Sequence, residues 1–421
     1  MGPTTLAWEL RGQRVDMAQL HKDYKPMLRL VRELIGVVPN CDPYLEIWPA
    51  GFRTYNLLVP NLLNMPNLIF GQGAPKDLVG LGMYVSSRAA ECMYCSAHTC
   101  SFALRRGASA EALVGEYTPV EEAVAVLAHA LGSVPTTMTA AYIDQIDRYL
   151  APEDVEWVVM GVALMGFLNK FMDAMGIPLE AEAIHDVADL IESTGWTTGK
   201  HLWDDVDLDG HQGNSGVPKD SLGTYLRVLR QAPAALRLES TWTKGVSGRI
   251  GPALVMLEEK VGYAFPILST LRHKRAVKAI ATVLRENLDP NLTKIGLPAK
   301  CMVGLVFAKV VEDEMLMSEM IQLAQLLAPE IDTRLLVDVG KYAVYPAEYA
   351  EIPRGLSSRE AAAIMLAKAA STSPSNVNEI TVSTVIGHLT PAQIVETVVW
   401  LSVLQMLHRL YAYYDARIGL I

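Results

Sequence analysis

The sequence predicts an all-α fold, and three observations carry that reading. Apolar positions recur three and four residues apart through most of the 421 residues, the spacing of one helix face. Alternating runs rich in Val, Ile, Thr and Tyr and bounded by turn residues, which mark strands, are nearly absent. Helix punctuation stands at the ends of the periodic runs: Pro75 precedes Lys76 to Arg88, Gly107 follows Arg105-Arg106 as a C′ residue, and Thr390-Pro391 opens a late helix as N-cap and N1.

A chain of this length predicts two or three domains, because single hydrophobic cores stop growing well below it. An internal repeat supplies the division. A shift of 239 places Glu121 on Glu360, Leu127 on Leu366, Ala130 on Ala369, Pro135 on Pro374, Pro152 on Pro391 and Leu168 on Leu407 without a gap. Chance overlay of helices matches apolar positions but rarely carries two prolines with them. Upstream the shift falls to about 221, which lays Leu81 to Ala103 over Met302 to Ala324, and the Tyr342 to Ser358 stretch supplies most of the difference as a longer loop. The expected organisation is a helical extension over 1–50, a first domain over 51–200, an acidic Gly-rich linker with a connecting helix over 201–245, and a second domain over 246–421.

Composition narrows the function classes. Apolar residues make up 51% and charged residues 19%, with a formal net charge of -10 and no polybasic stretch, which describes a soluble globular protein and argues against a nucleic-acid surface. The longest strongly apolar segment, Val155 to Leu168, is too short to span a bilayer of about 30 Å and reads as a core helix. Arg11, Arg14 and Asp16 stand where a signal peptide needs an apolar core. The expectation is a cytoplasmic protein with no membrane partner and no bound cofactor. Linker residues Asp205, Asp207, Asp209 and Gly210 copy half of a calcium-binding loop, but Gly216 holds the position that needs a bidentate Glu, so a solvated acidic linker is expected.

Five cysteines are few for this length, and three of them, Cys92, Cys95 and Cys100, fall within nine positions while Cys41 and Cys301 stand alone. That is one local thiol site with two ordinary buried cysteines, not a secreted disulfide framework. On a helix, Cys92 and Cys95 put two sulfurs on one face within disulfide reach. His98, three residues beyond Cys95, shares that face and can take the proton that converts thiol to thiolate. Two other readings stand beside redox chemistry: a structural zinc site, for which no second ligand segment exists, and a buried core pair beside a satisfied histidine.

The run Cys92-Met93-Tyr94-Cys95-Ser96-Ala97-His98, followed after a Pro-containing connection by a helix ending Phe167-Leu168-Asn169-Lys170-Phe171-Met172-Asp173-Ala174-Met175-Gly176-Ile177-Pro178, resembles the AhpD-like, carboxymuconolactone decarboxylase superfamily. The resemblance covers about Phe52 to Glu180, with Tyr263 to Tyr414 as a degenerate second copy. It implies a helical homo-oligomer that reduces hydroperoxides. Cys95 would be attacked and become a sulfenic acid, Cys92 would resolve it as a disulfide, and His98 would serve the proton relay, with a dithiol partner protein or small thiol restoring the pair.

The chain departs from the peroxidatic members at two places. Their histidine follows the second cysteine by four residues, where Thr99 stands here, and their upstream glutamate falls on Gly80; Glu91 is the only nearby carboxylate. If Cys92 opens the helix, the helix dipole favours it as nucleophile, opposite to the role the resemblance gives Cys95. The second copy has neither Cys nor His in its matching stretch, Glu312 to Met320, so it reads as a scaffold in which Met315, Met317 and Met320 fill gaps, and His129 and His408 read as ordinary helix residues. Three function classes result: a thiol oxidoreductase acting on hydroperoxides or disulfides, a lyase or isomerase of the decarboxylase branch, and a non-enzymatic assembly member.

Overall fold

The computed structural model describes residues 3–64, 73–185, 187–203, 219–344 and 352–419. The fold is all-α, with no strand among the described residues. Its helices of twelve residues or more are α1 (Met17–Ile35), α2 (Pro49–Leu62), α3 (Lys76–Ala89), α4 (Met93–Arg106), α5 (Pro119–Gly132), α6 (Pro152–Met175), α7 (Leu222–Trp242), α8 (Ile250–Val261), α9 (Lys274–Asn287), α10 (Leu297–Val310), α11 (Glu314–Leu327), α12 (Thr333–Val344), α13 (Ser358–Ser371) and α14 (Pro391–Ile418). Their ends are the ones local chemistry dictates. Pro75 stands at the N-cap of α3, Gly107 closes α4 at φ 107°, where a side chain would be strained, and Thr390 caps α14 with Gln393 completing the capping box.

Packing centres on α6 and α14, which share the most extensive helix contact among the described residues and are buried along nearly their whole lengths. The Val155 to Leu168 run is the core helix the sequence predicts: α6 alone among the described helices is long and apolar enough to cross a membrane, and it lies inside the protein. Around this seam α3 packs on α4, α5 and α6, and α10 packs on α11, α13 and α14. One continuous apolar core runs through both halves, and a small satellite of Met27, Leu30, Val31 and Leu34 with Val228 and Ala235 fastens α7 to α1.

Helix bounds in the two halves can be compared at the sequence offsets. At 221, α3 falls on α10 and α4 on α11, and the residues before the latter pair, Glu91 and Glu312, both have positive φ, 51° and 57°. At 239, α5 falls on α13 and each opens with a capping box, Thr118 with Glu121 and Ser357 with Glu360; α6 and α14 begin at Pro152 and Pro391. Cis peptides precede both Pro135 and Pro374.

The change of offset is not only a longer loop. Where the first half has the four-residue helix Ala110–Leu113, the second has the twelve-residue α12, which takes in Tyr342. Part of the connection after α12 and the acidic Asp205, Asp207, Asp209 and Gly210 segment lie outside the described residues.

Two cations tie the halves together. Lys170 of α6 donates to the carbonyls of Ser371 and Thr372 at 2.9 and 2.6 Å, and Arg409 of α14, at offset 239, donates to those of Gly132 at 3.4 Å and Val162 at 2.7 Å. Gly132 is itself offset from Ser371 by 239, so the bond to each helix end is answered across the seam.

Candidate functional site

The chain turns sharply before α4 because Glu91 takes a left-handed conformation, φ 51°, which leaves Cys92 at the N-cap. Its sulfur accepts the backbone N–H of Cys95 at 3.3 Å. An amide at a helix N-terminus aimed at sulfur favours negative charge there. Both cysteines are free thiols, Cys92 fully buried and Cys95 2% exposed. Burial pushes the Cys95 thiol well above its ordinary range, and its hydrogen bond to Cys92 adds to this.

His98 lies one turn beyond Cys95, as the spacing predicts, and its ring is held by a carboxylate from far along the chain. His98 Nε2 stands 2.6 Å from Glu180 Oε2. The other oxygen, Oε1, accepts the Tyr94 hydroxyl at 2.8 Å and the Asn40 backbone N–H at 2.5 Å. Tyr94 also stacks on the imidazole, centroids 4.4 Å apart. A carboxylate that accepts from Nε2–H leaves Nδ1 as the lone pair available to a proton.

Glu180 corrects the expectation that Glu91 is the only carboxylate at hand; Glu91 is exposed and makes no bond to the histidine. The structure also explains why position 80 carries no glutamate. A Cβ on Gly80 would lie 2.8 Å from the Ala103 Cα, so α3 and α4 approach too closely for any side chain there. Thr99 turns its hydroxyl to the Cys95 carbonyl at 2.6 Å and is not part of the relay. Cys100 is buried, its thiol raised to about 12 by burial, and Cys41 and Cys301 are buried as expected.

Cys95, His98, Tyr94, Tyr55 and Thr99 line a cavity of about 60 Å³ whose other lining side chains are apolar, among them Met83, Phe102, Leu164 and Met172. Cys92 does not line it. A water needs roughly 10–15 Å³ of such space, so the cavity admits a molecule of a few heavy atoms. Among the described residues no group of three His, Cys, Asp or Glu side chains is placed to hold a metal ion.

The second half is not polar-free at the matching place. Asp313 occupies the N-cap position that Cys92 holds in α4, accepts the Leu316 N–H at 2.9 Å, and bonds His408 Nδ1 at 2.6 Å. Glu319, offset from His98 by 221, accepts the Tyr411 hydroxyl. His408 is therefore a buried partner of Asp313, not an ordinary helix residue; it reaches the stretch from α14, where sequence register does not look. Met320 is buried in the core, and Met315 and Met317 are half-buried.

No protein-family model and no curated protein matches the chain. Among solved structures it is similar to the debrominase Bmp8 in its apo form, at 22% identity and a TM-score of 0.37, over 42% of this chain and 95% of that one. A cysteine-to-alanine variant of Bmp8 in complex with 2,3,4-tribromopyrrole matches at 20% identity with the same TM-score and coverage. A likeness at that score carries no argument about this chain.

Proposed function

We propose that the chain is a thiol-dependent, peroxidase-like oxidoreductase of the AhpD-like, carboxymuconolactone decarboxylase superfamily, fused from two copies of which only the first keeps the cysteine pair. The observation that carries the reading is that Cys95 and His98 line one small cavity while Glu180 fixes the imidazole. His98 Nδ1 takes the Cys95 thiol proton. The thiolate attacks the outer oxygen of a hydroperoxide, the O–O bond breaks, and the alkoxide leaves with the proton from His98 as an alcohol, so that Cys95 becomes a sulfenic acid. Cys92 then displaces water to form a Cys92–Cys95 disulfide, which two thiols of a reductant restore. The volume and apolar lining favour a small alkyl hydroperoxide over a bulky one. Assembly as a homo-oligomer and a cytoplasmic setting belong to the same reading.

The test is a stoichiometric dose of a small hydroperoxide with thiol counting before and after. One equivalent should remove two thiols and leave a peptide containing Cys92 and Cys95 lighter by two hydrogens. Unchanged thiols would overturn the proposal.

One observation favours a second reading. Burial holds the Cys95 thiol protonated, while the His98 and Glu180 pair can move protons without it, as a lyase or isomerase of the decarboxylase branch would require. In that case a chain with serine at both 92 and 95 keeps its activity on a small carboxylated lactone.

A further inference from the structure

A groove of about 710 Å³ lies in the second half between α10, α11 and α12, within the roughly 300–1,000 Å³ that small-molecule sites occupy. Its walls are mostly apolar, among them Leu305, Met317, Ile321 and Leu336, and no acidic side chain lines it. Two ammonium groups do, Lys309 of α10 and Lys341 of α12. Lys309 is half-buried, and its Cε lies 3.7 Å from where a Cβ on Gly340 would stand, so its stem runs against α12 beside Lys341. Among the described residues Lys309 has no ion-pair or hydrogen-bond partner, and Lys341 has only the exposed Asp338, at 3.5 Å. The acidic groups Glu312, Asp313 and Glu314 line a neighbouring cleft that shares Lys309 and Met317, and Asp313 is engaged there with His408. They repel an anion from that cleft and leave the groove as its place.

The first half shows what such a face takes. At offset 221 Lys309 matches Arg88 and Ile321 matches Cys100. There the face is filled by the chain itself: the helix Ala188–Glu192, with Ile191 fully buried, packs on α4, and Arg88 donates to the Thr194 carbonyl at 2.8 Å. The occupant is an apolar body that presents an oxygen acceptor to the cation. The second half keeps the cation and the apolar wall, and the groove lies open beside them.

We propose that this groove binds a small organic carboxylate with a flexible apolar tail, the chemistry of a medium-chain fatty acid, its tail against Leu305, Ile321 and Leu336 and its head between Lys309 and Lys341. The carboxylate supplies charge-assisted hydrogen bonds to the two ammonium groups, and the tail supplies apolar area. The inference is independent of the thiol-redox reading, since none of these residues lines the cavity beside Cys95.

The experiment titrates the full chain, ¹³C-labelled at the methionine methyls, with decanoate below its micellar range and separately with decan-1-ol and decyltrimethylammonium. The Met317 signal, assigned by Met317→Leu, reports the groove. Met83 and Met172, which line the Cys95 cavity, serve as controls. Decanoate should move Met317 to saturation at one molecule per chain, leave the controls still, and bind about tenfold or more tighter than either other probe, as charged hydrogen bonds require. Lys309→Met combined with Lys341→Met should remove that advantage without changing the affinity for the alcohol, and Lys309→Arg should keep it. Gly340→Leu, whose Cβ meets nothing but Lys309 Cε within 4 Å, should fill the groove and weaken acid and alcohol alike.

Decanoate that binds wild type no tighter than the alcohol, or that moves Met83 and Met172 in place of Met317, overturns the proposal. So does an undiminished decanoate affinity in the double-lysine chain or in Gly340→Leu. If those chains fail to fold, the wild type still decides, because the probe comparison reads the charge and the methyl signals read the place.

Discussion

Glu180 accepts a hydrogen bond from His98 at 2.6 Å across 82 residues of sequence, and it is held in place by Tyr94 and the Asn40 backbone. A carboxylate so bound fixes the tautomer and the orientation of the ring. Glu180→Gln should slow hydroperoxide-dependent thiol loss by about 10- to 100-fold, with the largest deficit near neutral pH, where thiolate supply limits. His98→Ala should do at least as much. Stopped-flow rates measured across pH 6 to 9 check both.

Cys95 lines the cavity and Cys92 does not. Cys95→Ser should abolish peroxide consumption, and Cys92→Ser should leave a trapped sulfenic acid on Cys95 that a dimedone-type probe labels. Label found on Cys92 in the Cys95→Ser protein would exchange the two roles, and mass spectrometry of the labelled peptide decides.

Two glycines in helices should respond oppositely to alanine. A Cβ at Gly132 would meet the Ser86 backbone at 2.7 and 2.8 Å, forcing α5 from α3, so Gly132→Ala should destabilise by about 1–3 kcal/mol. Gly387, in the helix Glu379–His388, has nothing within 4 Å of such an atom, and Gly387→Ala should stabilise by roughly 0.4–1 kcal/mol. Denaturant melts report both.

Burial raises two carboxyl groups to about 8, Asp42 and Glu319. Each keeps its proton in the folded chain but loses it near pH 4 when unfolded. Between about pH 4 and 8 the folded state binds more protons, so stability is greatest in acid and falls as pH rises, by up to about 1.4 kcal/mol per unit for each group. Glu319→Gln and Asp42→Asn should flatten that fall. Melting temperatures of each variant against wild type from pH 5 to 7.5 measure it; parallel curves would mean the groups are ionised in the fold.

Much of the fold was legible because its signals are local. Pro75, Gly107 and Thr390 end helices by their own chemistry, and Cys95 and His98 meet because three residues make one turn. Glu180, Arg409 and Lys170 were not legible as partners, since nothing in a window of sequence says which distant ring or backbone carbonyl they meet. A faint signal existed. Lys170 and Arg409 are cations inside otherwise apolar stretches, and Glu180 follows the Gly176-Ile177-Pro178 stop of a buried helix. His408 escaped for the same reason, because its partner Asp313 lies 95 residues away.

The sulfurs are covered from outside by the chain after α6. Trp196 donates its indole N–H to the Met93 carbonyl at 2.9 Å, Arg88 donates to the Thr194 carbonyl at 2.8 Å, and Leu179 donates its N–H to the His201 carbonyl at 2.9 Å. A molecule of a few atoms can enter the cavity with these bonds intact, but a reductant the size of a protein cannot reach a fully buried Cys92. On the proposed redox reading, oxidation and regeneration would use different states of the molecule, the second capped by how often this flap lifts. A low concentration of urea should then accelerate recovery of the thiols before it unfolds the chain, and amide hydrogen exchange over residues 187–203 sets the pace.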